Sequence, residues 1–270
     1  MGIRTGAKLL PLKEYEINLD LLMKFLGIIP ARYASSRFPG KPLVEIQGKS
    51  MIQRVYEQAL KSNKLSKVIV ATDDRRIEKH VKNFGGNVIM TSASHKTGTE
   101  RCNEVLEKSG PEKWDSIINI QGDEPFINPA QIDAVCNCFN TKGTQIASLV
   151  KQISNREELF NSNVVKAVID KNKNALYFTR AAIPFMRDEK PEKWLANQNY
   201  YKHIGIYGYA TVILKKITQL KPSTLEIAES LEQLRWLENG YKIKVEITIY
   251  DSIAVDTPED LKKILSKLEL

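Results

Sequence analysis

Two sets of side chains in this sequence have the types and positions to do chemistry. The first lies in Pro30–Leu43, directly after an apolar run. It holds Arg32, Arg37 and Lys41, the hydroxyls of Ser35 and Ser36, and Gly40. Cations neutralise a polyphosphate and exposed backbone N–H groups can cradle it. The glycine spacing matches neither a P-loop nor a dinucleotide fingerprint, and the same composition fits a proline-bounded, charged surface loop. The second set is a pair of acids, Asp123 in Gln121-Gly122-Asp123-Glu124-Pro125 and Asp256 just before Thr257. Each follows a strand-like run. Mg²⁺ takes one or two protein carboxylates and completes its shell with phosphate and water. An aspartate in a turn is also common, and spacing alone does not bring Asp123 and Asp256 together.

A third candidate is His203–Tyr209. Period-two alternation puts His203, Gly205, Tyr207 and Tyr209 on one face and Ile204 and Ile206 on the other, with the core. The polar face suits a sugar- or carboxylate-binding wall, although a lone histidine is more often structural. Glu232 and Gln233 border a buried helical stripe, where a solvated helix edge is the plainer reading. No Gly-x-Ser-x-Gly elbow, His-Glu-x-x-His or Cys-x-x-Cys occurs. Cys136 and Cys138 are two apart on a predicted helix and read as packing residues.

The elements that must position these groups are legible as alternating short apolar runs and amphipathic stretches. Strands are predicted at Phe25–Ile29, Lys67–Ala71, Asn87–Met90 and Ser116–Ile120. Helices are predicted at 50–62, 74–84, 99–108 and 129–139. That alternation indicates an α/β domain with a mainly parallel sheet. In such sheets ligands bind beyond the carboxyl ends of the strands, where Arg32, Lys41 and Asp123 fall. From Thr144 to Tyr209 the pattern becomes strand-rich (144–151, 164–169, 175–180, 203–209), a mixed section inserted into or beside the sheet. One helix is then expected, from a Ser223–Glu226 capping box to a stop at Gly240, with Leu225, Ala228, Leu231, Leu234 and Leu237 as its apolar stripe. Ile243, Val245, Ile247 and Ile249 alternate as a strand. Thr257-Pro258 caps a final helix.

The 270 residues carry 40 Lys+Arg against 32 Asp+Glu, a net charge of +8. Those cations are scattered among acids with no run longer than a pair, which opposes a nucleic-acid stripe. No apolar run reaches the ~20 residues that span a bilayer. Three cysteines make no disulfide framework, and a cytoplasmic protein is expected. Residues 1–22 lack a signal-peptide core, and we expect them to be a tag or an over-extended start, with the functional chain beginning near Met23.

Seven segments together resemble one family. They are Pro30–Leu43, Ala71-Thr72-Asp73, Gly98-Thr99-Glu100-Arg101, Gln121–Pro125, His203–Tyr209, Glu232-Gln233-Leu234-Arg235 and Val255–Leu261. Each alone is weak; in this order they resemble the 3-deoxy-manno-octulosonate (Kdo) cytidylyltransferases, or CMP-Kdo synthetases, from Met23 to the end. Thr179 before Arg180, where serine is usual, and Ala210 after Tyr209, where arginine is common, depart from the pattern.

The resemblance implies an α/β, Rossmann-like three-layer nucleotide-diphospho-sugar transferase fold in a single domain over residues 23–270. Residues 144–209 would be a smaller mixed-strand segment that forms a homodimer contact. It implies transfer of CMP from CTP to Kdo with release of pyrophosphate, for lipopolysaccharide synthesis in the cytoplasm of Gram-negative bacteria. It implies that Arg32 and Lys41 hold the triphosphate, with Ser36 and Arg37 shaping their loop. Asp123 and Asp256 would hold Mg²⁺. Ala71, Asp73, Arg101 and Gln121 would serve the nucleotide. Arg180, His203, Tyr207, Glu232 and Gln233 would line the sugar pocket, with Arg180 a candidate for the sugar carboxylate. No nucleic acid or membrane partner is implied. A cytidylyltransferase for another acid sugar (amino-Kdo or sialic acid) is the nearest alternative. A basic, non-catalytic binding protein is the alternative of another class.

Overall fold

The computed structural model describes residues 23–34 and 38–268. The first 22 residues, with the tag or start reading attached to them, lie outside it, as do Ser36 and Arg37.

The first strand, β1 (Phe25–Ala31), is buried on both faces because its alternate residues pack into different cores. After it come a hairpin, β2 (Glu45–Ile46) and β3 (Lys49–Ser50), and α1 (Met51–Ala59). Ser50 caps α1 by accepting from Gln53 N–H. The alternation continues with β4 (Leu65–Thr72), α2 (Arg75–Asn83), β5 (Val88–Met90), α3 (Gly98–Ser109), β6 (Ser116–Asn119) and α4 (Pro129–Asn137). β7 (Ile146–Gln152), α5 (Arg156–Phe160), β8 (Lys166–Ile169), β9 (Ala175–Thr179), α6 (Trp194–Asn197) and β10 (Tyr201–Ala210) form the strand-rich stretch. The chain ends in α7 (Thr211–Ile217), α8 (Thr224–Glu229), α9 (Glu232–Glu238), β11 (Ile243–Ile247) and α10 (Pro258–Leu268).

One sheet runs in the order β11-β7-β10-β6-β1-β4-β5. β6, β1, β4 and β5 are parallel; β10 lies antiparallel between β6 and β7, and carries β8 and β9 as an arm. The strand-rich stretch is thus partly central: β7 and β10 complete the main sheet. Ile52, Val55, Ile77, Val81, Ile132 and Val135 from α1, α2 and α4 cover one face. Cys102, Val105, Leu106, Ile213, Leu214, Leu234 and Trp236 from α3, α7 and α9 cover the other. These are the three expected layers. All three cysteines are unbonded and buried among them, and burial raises their thiol pKa values.

A smaller core of Ile46, Met51, Val255 and Ile264 docks α10 onto the β2–β3 hairpin. Thr257 and Asp260 cap α10 reciprocally, each backbone N–H meeting the other's side chain at 3.0 and 3.2 Å. The segment before it is tethered by Asp251, which accepts from Lys202 at 2.9 Å and from Lys151. Among the described residues no helix is long and apolar enough to cross a membrane.

Three expectations need correction. The helix over residues 223–240 is two helices, broken at Ser230, which sits in the left-handed region at φ 52°. The proposed stripe repeats every third residue. Each such step turns about 300°, so the positions drift around an α-helix instead of sharing a face. Leu225 and Ala228 are exposed accordingly. The Ser223–Glu226 cap does form, with Ser223 N–H donating to Glu226 at 3.1 Å. The last strand stops at Ile247, and Ile249 beyond it is 80% exposed. The third lies in β10, whose expected polar face packs against the core.

Candidate active site

A cavity of about 240 Å³ opens at the carboxyl ends of the parallel strands. Pro30, Ala31 and Arg32 enter it from the end of β1, and Gln121, Gly122 and Asp123 from just beyond β6. The two segments touch closely. A side chain at Gly122 would bring its Cβ to 2.5 Å from the Pro30 carbonyl oxygen, so glycine is required there. Lys41 and Pro42 come from a single 3₁₀ turn that starts after Gly40, at φ 73°. Asp256 comes from the lead-in to α10.

These groups converge on one point. Lys41 Nζ donates to Asp123 Oδ2 at 2.8 Å and to Asp256 Oδ1 at 3.1 Å. The lysine side chain is 13% exposed, and the two carboxylates 27% and 38%. The position between the acids therefore accepts a cation. Two carboxylates also suit Mg²⁺, a hard ion that takes few protein oxygens and keeps room for phosphate and water. Among the described residues no larger cluster of His, Cys, Asp or Glu is present to suit a softer or more fully caged metal.

The opposite wall is the N-terminus of α3. Thr97 caps it, accepting from Glu100 N–H at 3.2 Å, and Gly98 opens it. The free N–H groups of a helix start favour an anion. Arg101, 4% exposed, reaches the cavity from the first turn; it lies 3.5 Å from Asp73 Oδ2 and donates to Thr91 Oγ1. Asp73 thus stands behind Arg101, and its other oxygen is buried with no hydrogen-bond partner. Ala71 is fully buried in β4 and does not reach the cavity surface. His95 and Lys96 complete this wall. His95 is held by Glu104 through Nε2, and Glu104 is pulled down to about 2, against its burial, by Lys108, by Ser92 N–H and by His95. Sequence reasoning did not single out His95, Lys96 or the Thr97–Gly98 helix start. The signal for the last was present, a threonine three residues before Glu100.

Of the expected sugar-side residues, His203 and Tyr207 lie on β10, Glu232 and Gln233 on α9, and Arg180 just after β9. Gln121, on the cavity wall, donates from Nε2 to Gly205 O at 2.7 Å, at a register shift in β10 between Ile204 and Tyr207. Glu232 Oε2 accepts from Thr99 Oγ1 at 3.0 Å, and burial raises its pKa. Gln233 is buried. His203 shares a hydrogen bond with Ser148 Oγ at 2.9 Å and packs edge-on against Phe178; burial pushes its pKa down to about 4, so it is neutral at pH 7. Here the third correction applies. The polar face expected on β10 is largely core: Tyr207 and Tyr209 are buried and pack edge-on against Trp236 at 5.1 and 5.5 Å. A central strand has core on both faces, which alternation with tyrosines disguises. Arg180 donates to Glu229 O at 2.8 Å and Ser162 O at 3.1 Å, joining the β8–β9 arm to the α8–α9 break. Arg180, His203, Tyr207, Glu232 and Gln233 do not line the cavity at the strand ends.

The three-layer fold, with a cationic cavity and a carboxylate pair beyond its parallel strands, defines a nucleotidyltransferase of the nucleotide-diphospho-sugar transferase fold. The cytidylyltransferase family profile matches residues 26–244. The 3-deoxy-manno-octulosonate cytidylyltransferase of Parabacteroides distasonis is 57% identical over 251 residues, covering 92% of this chain and 99% of its own. That of Bacteroides thetaiotaomicron is 58% identical over 243 residues, covering 89% and 96%. The solved structure of a CMP:2-keto-3-deoxy-manno-octonic acid synthetase complexed with CTP superposes with a TM-score of 0.84 at 41% identity, covering 91% of this chain and 98% of that one. The 4-diphosphocytidyl-2C-methyl-D-erythritol synthase of Anaerococcus prevotii shares the fold, with a TM-score of 0.61 at 16% identity, over 94% of this chain and all of its own. The chain belongs to the 3-deoxy-manno-octulosonate cytidylyltransferase family.

Proposed function

We propose that this protein transfers the CMP group of CTP to Kdo, giving CMP-Kdo and pyrophosphate, as a step in lipopolysaccharide synthesis. The observation that carries this reading is the convergence of Asp123 and Asp256 on a single cation position, opposite a helix N-terminus and beside Arg32. A triphosphate is the ligand whose charge these walls would match. Its charge would meet Arg32, Lys41, Arg101 and the α3 N–H groups, while the carboxylates would hold Mg²⁺. The ion would lower the pKa of a bound hydroxyl and offset repulsion between two anionic substrates. The protein's own residues do the positioning. Arg32 and Lys41 stabilise the leaving pyrophosphate. Asp73, through Arg101, orients the nucleotide side. Gln121 couples the cavity to β10, and Thr99 couples it to Glu232, so the helix that faces the nucleotide also braces the sugar side.

His203, held neutral, acts on this reading as a hydrogen-bonding group and not as a cation for the sugar acid. Arg180 is the remaining candidate for the Kdo carboxylate; its Nε and Nη1 already donate to backbone carbonyls, and Nη2 would face the sugar acid. We assign the protein to the cytoplasm. We also infer a homodimer built through residues 144–209, a reading supported by the exposed Leu176 (59%) and Phe185 (74%) in that stretch. Sedimentation of the purified protein tests the dimer. A pyrophosphate-release assay with CTP, Mg²⁺ and a panel of acid sugars tests the activity. Release with sialic acid or amino-Kdo but not with Kdo would replace the sugar assignment.

A further inference from the structure

Lys41 has two claims on it. The proposed function needs its ammonium on the triphosphate, and the structure places it between Asp123 Oδ2 and Asp256 Oδ1 at 2.8 and 3.1 Å. A divalent ion ligated by both carboxylates would need the same place. The two cations exclude each other by size and by charge.

We propose that Lys41 is an exchangeable counter-ion of the Asp123–Asp256 pair, displaced by the divalent cation and handed over to the nucleotide phosphates. This inference rests on the metal assignment made above. The backbone around Lys41 is built to stay while the side chain moves. Gly40 N–H donates to Tyr33 O, Leu43 N–H to Gly40 O and Val44 N–H to Lys41 O, and Pro42 stiffens the turn. A four-carbon stem on that fixed base lets the ammonium turn toward a ligand in the same cavity, which Lys41 itself lines. The charges agree with such an exchange. Lys41 offsets one carboxylate charge of the pair; a divalent ion offsets two and releases the positive charge of Lys41 for the phosphates. Metal and nucleotide binding are then linked, because each favours the state in which Lys41 has left the acids.

The sign of one effect separates this role from a merely structural one. If Lys41 competes for the site, removing it strengthens metal binding. If Lys41 only holds the two carboxylates together, removing it lets them repel and weakens metal binding. The test is Mn²⁺ binding to the nucleotide-free protein, followed by electron paramagnetic resonance of the free ion. Lys41→Met should tighten the Mn²⁺ Kd about tenfold or more, as expected when a competing occupant is removed. Lys41→Gln, which keeps a polar group, should tighten it as well. Lys96→Met removes another cation that lines the same cavity, and should change the Kd far less. Unchanged or weaker binding in both Lys41 variants overturns the exchange, and so does equal tightening by Lys96→Met, which would show a general field effect. Asp123→Asn separates the two readings. If it leaves Mn²⁺ binding intact, the metal assignment falls and the exchange with it. If it abolishes binding while the Lys41 variants fail to tighten it, only the exchange falls.

Discussion

The backbone N–H of Val255 donates to the carbonyl oxygen of Asp123 across 2.9 Å. This bond sets the register of the site. It joins the residue before Asp256 to Asp123 itself, so two carboxylates from distant parts of the chain arrive side by side. The small core around Val255 and Ile264 holds the same segment from behind.

Asp123→Asn keeps that backbone bond and removes the charge. Turnover should fall by at least ~100-fold, the scale of losing one electrostatic contact to the transition state. CTP binding by calorimetry should persist within a few-fold. Near-normal turnover at saturating Mg²⁺ would remove Asp123 from the metal site.

Gly122→Ala puts a methyl group 2.5 Å from the Pro30 carbonyl. The strand ends that frame the cavity must then separate. Urea unfolding should show a loss of about 1–3 kcal/mol, typical of overpacking, and turnover should drop with it. A variant of wild-type stability would mean that the two segments can part without strain.

His203 gives stability a pH dependence of known sign. Its folded pKa, about 4, lies below its ordinary 6.5 because burial disfavours the charged ring. The unfolded chain therefore binds more protons between those values, and this contribution to stability is lost as pH falls from about 6.5 to 4. The loss should approach about 2–3 kcal/mol. Comparing denaturant midpoints of wild type and His203→Asn across that window isolates it from the carboxylates. Parallel curves would show that His203 titrates normally.

Arg180→Ala should raise the KM for Kdo more than the KM for CTP. It also removes the bonds to Ser162 O and Glu229 O, so a thermal melt should accompany the kinetics. Equal effects on both KM values would leave Arg180 as a clamp for the β8–β9 arm alone.

The layered α/β plan was legible in the sequence because it rests on local signals. Val68-Ile69-Val70 reads as a doubly buried strand wherever it sits, and Ser50 and Thr257 announce helix starts through their own short-range hydrogen bonds. The placement of the cavity loops was legible for the same reason: Arg32 and Lys41 follow a strand end, and Asp123 follows another. Most of the misreadings were non-local. The break at Ser230 follows from how two short helices pack over β9 and the arm, and the leucines near it share a period of three that no single helix face can use. Tyr207 and Tyr209 look like a polar wall in one dimension; with Trp236 packed on them they are core. His95, just before α3, carries no local signal because its place on the cavity wall depends on Glu104, nine residues on and within that helix.

Residue types and local spacing by themselves determined the strands and most of the helices, and showed which loops follow strand ends, since propensity, capping and alternation act over a few residues. Only the tertiary structure decided which loops share a cavity, that Asp123 and Asp256 meet, and that Lys41 stands between them. Those contacts join segments from opposite ends of the chain, and their geometry is set by the sheet order, the Val255–Asp123 bond and the docking of α10, none of which any short stretch of sequence contains.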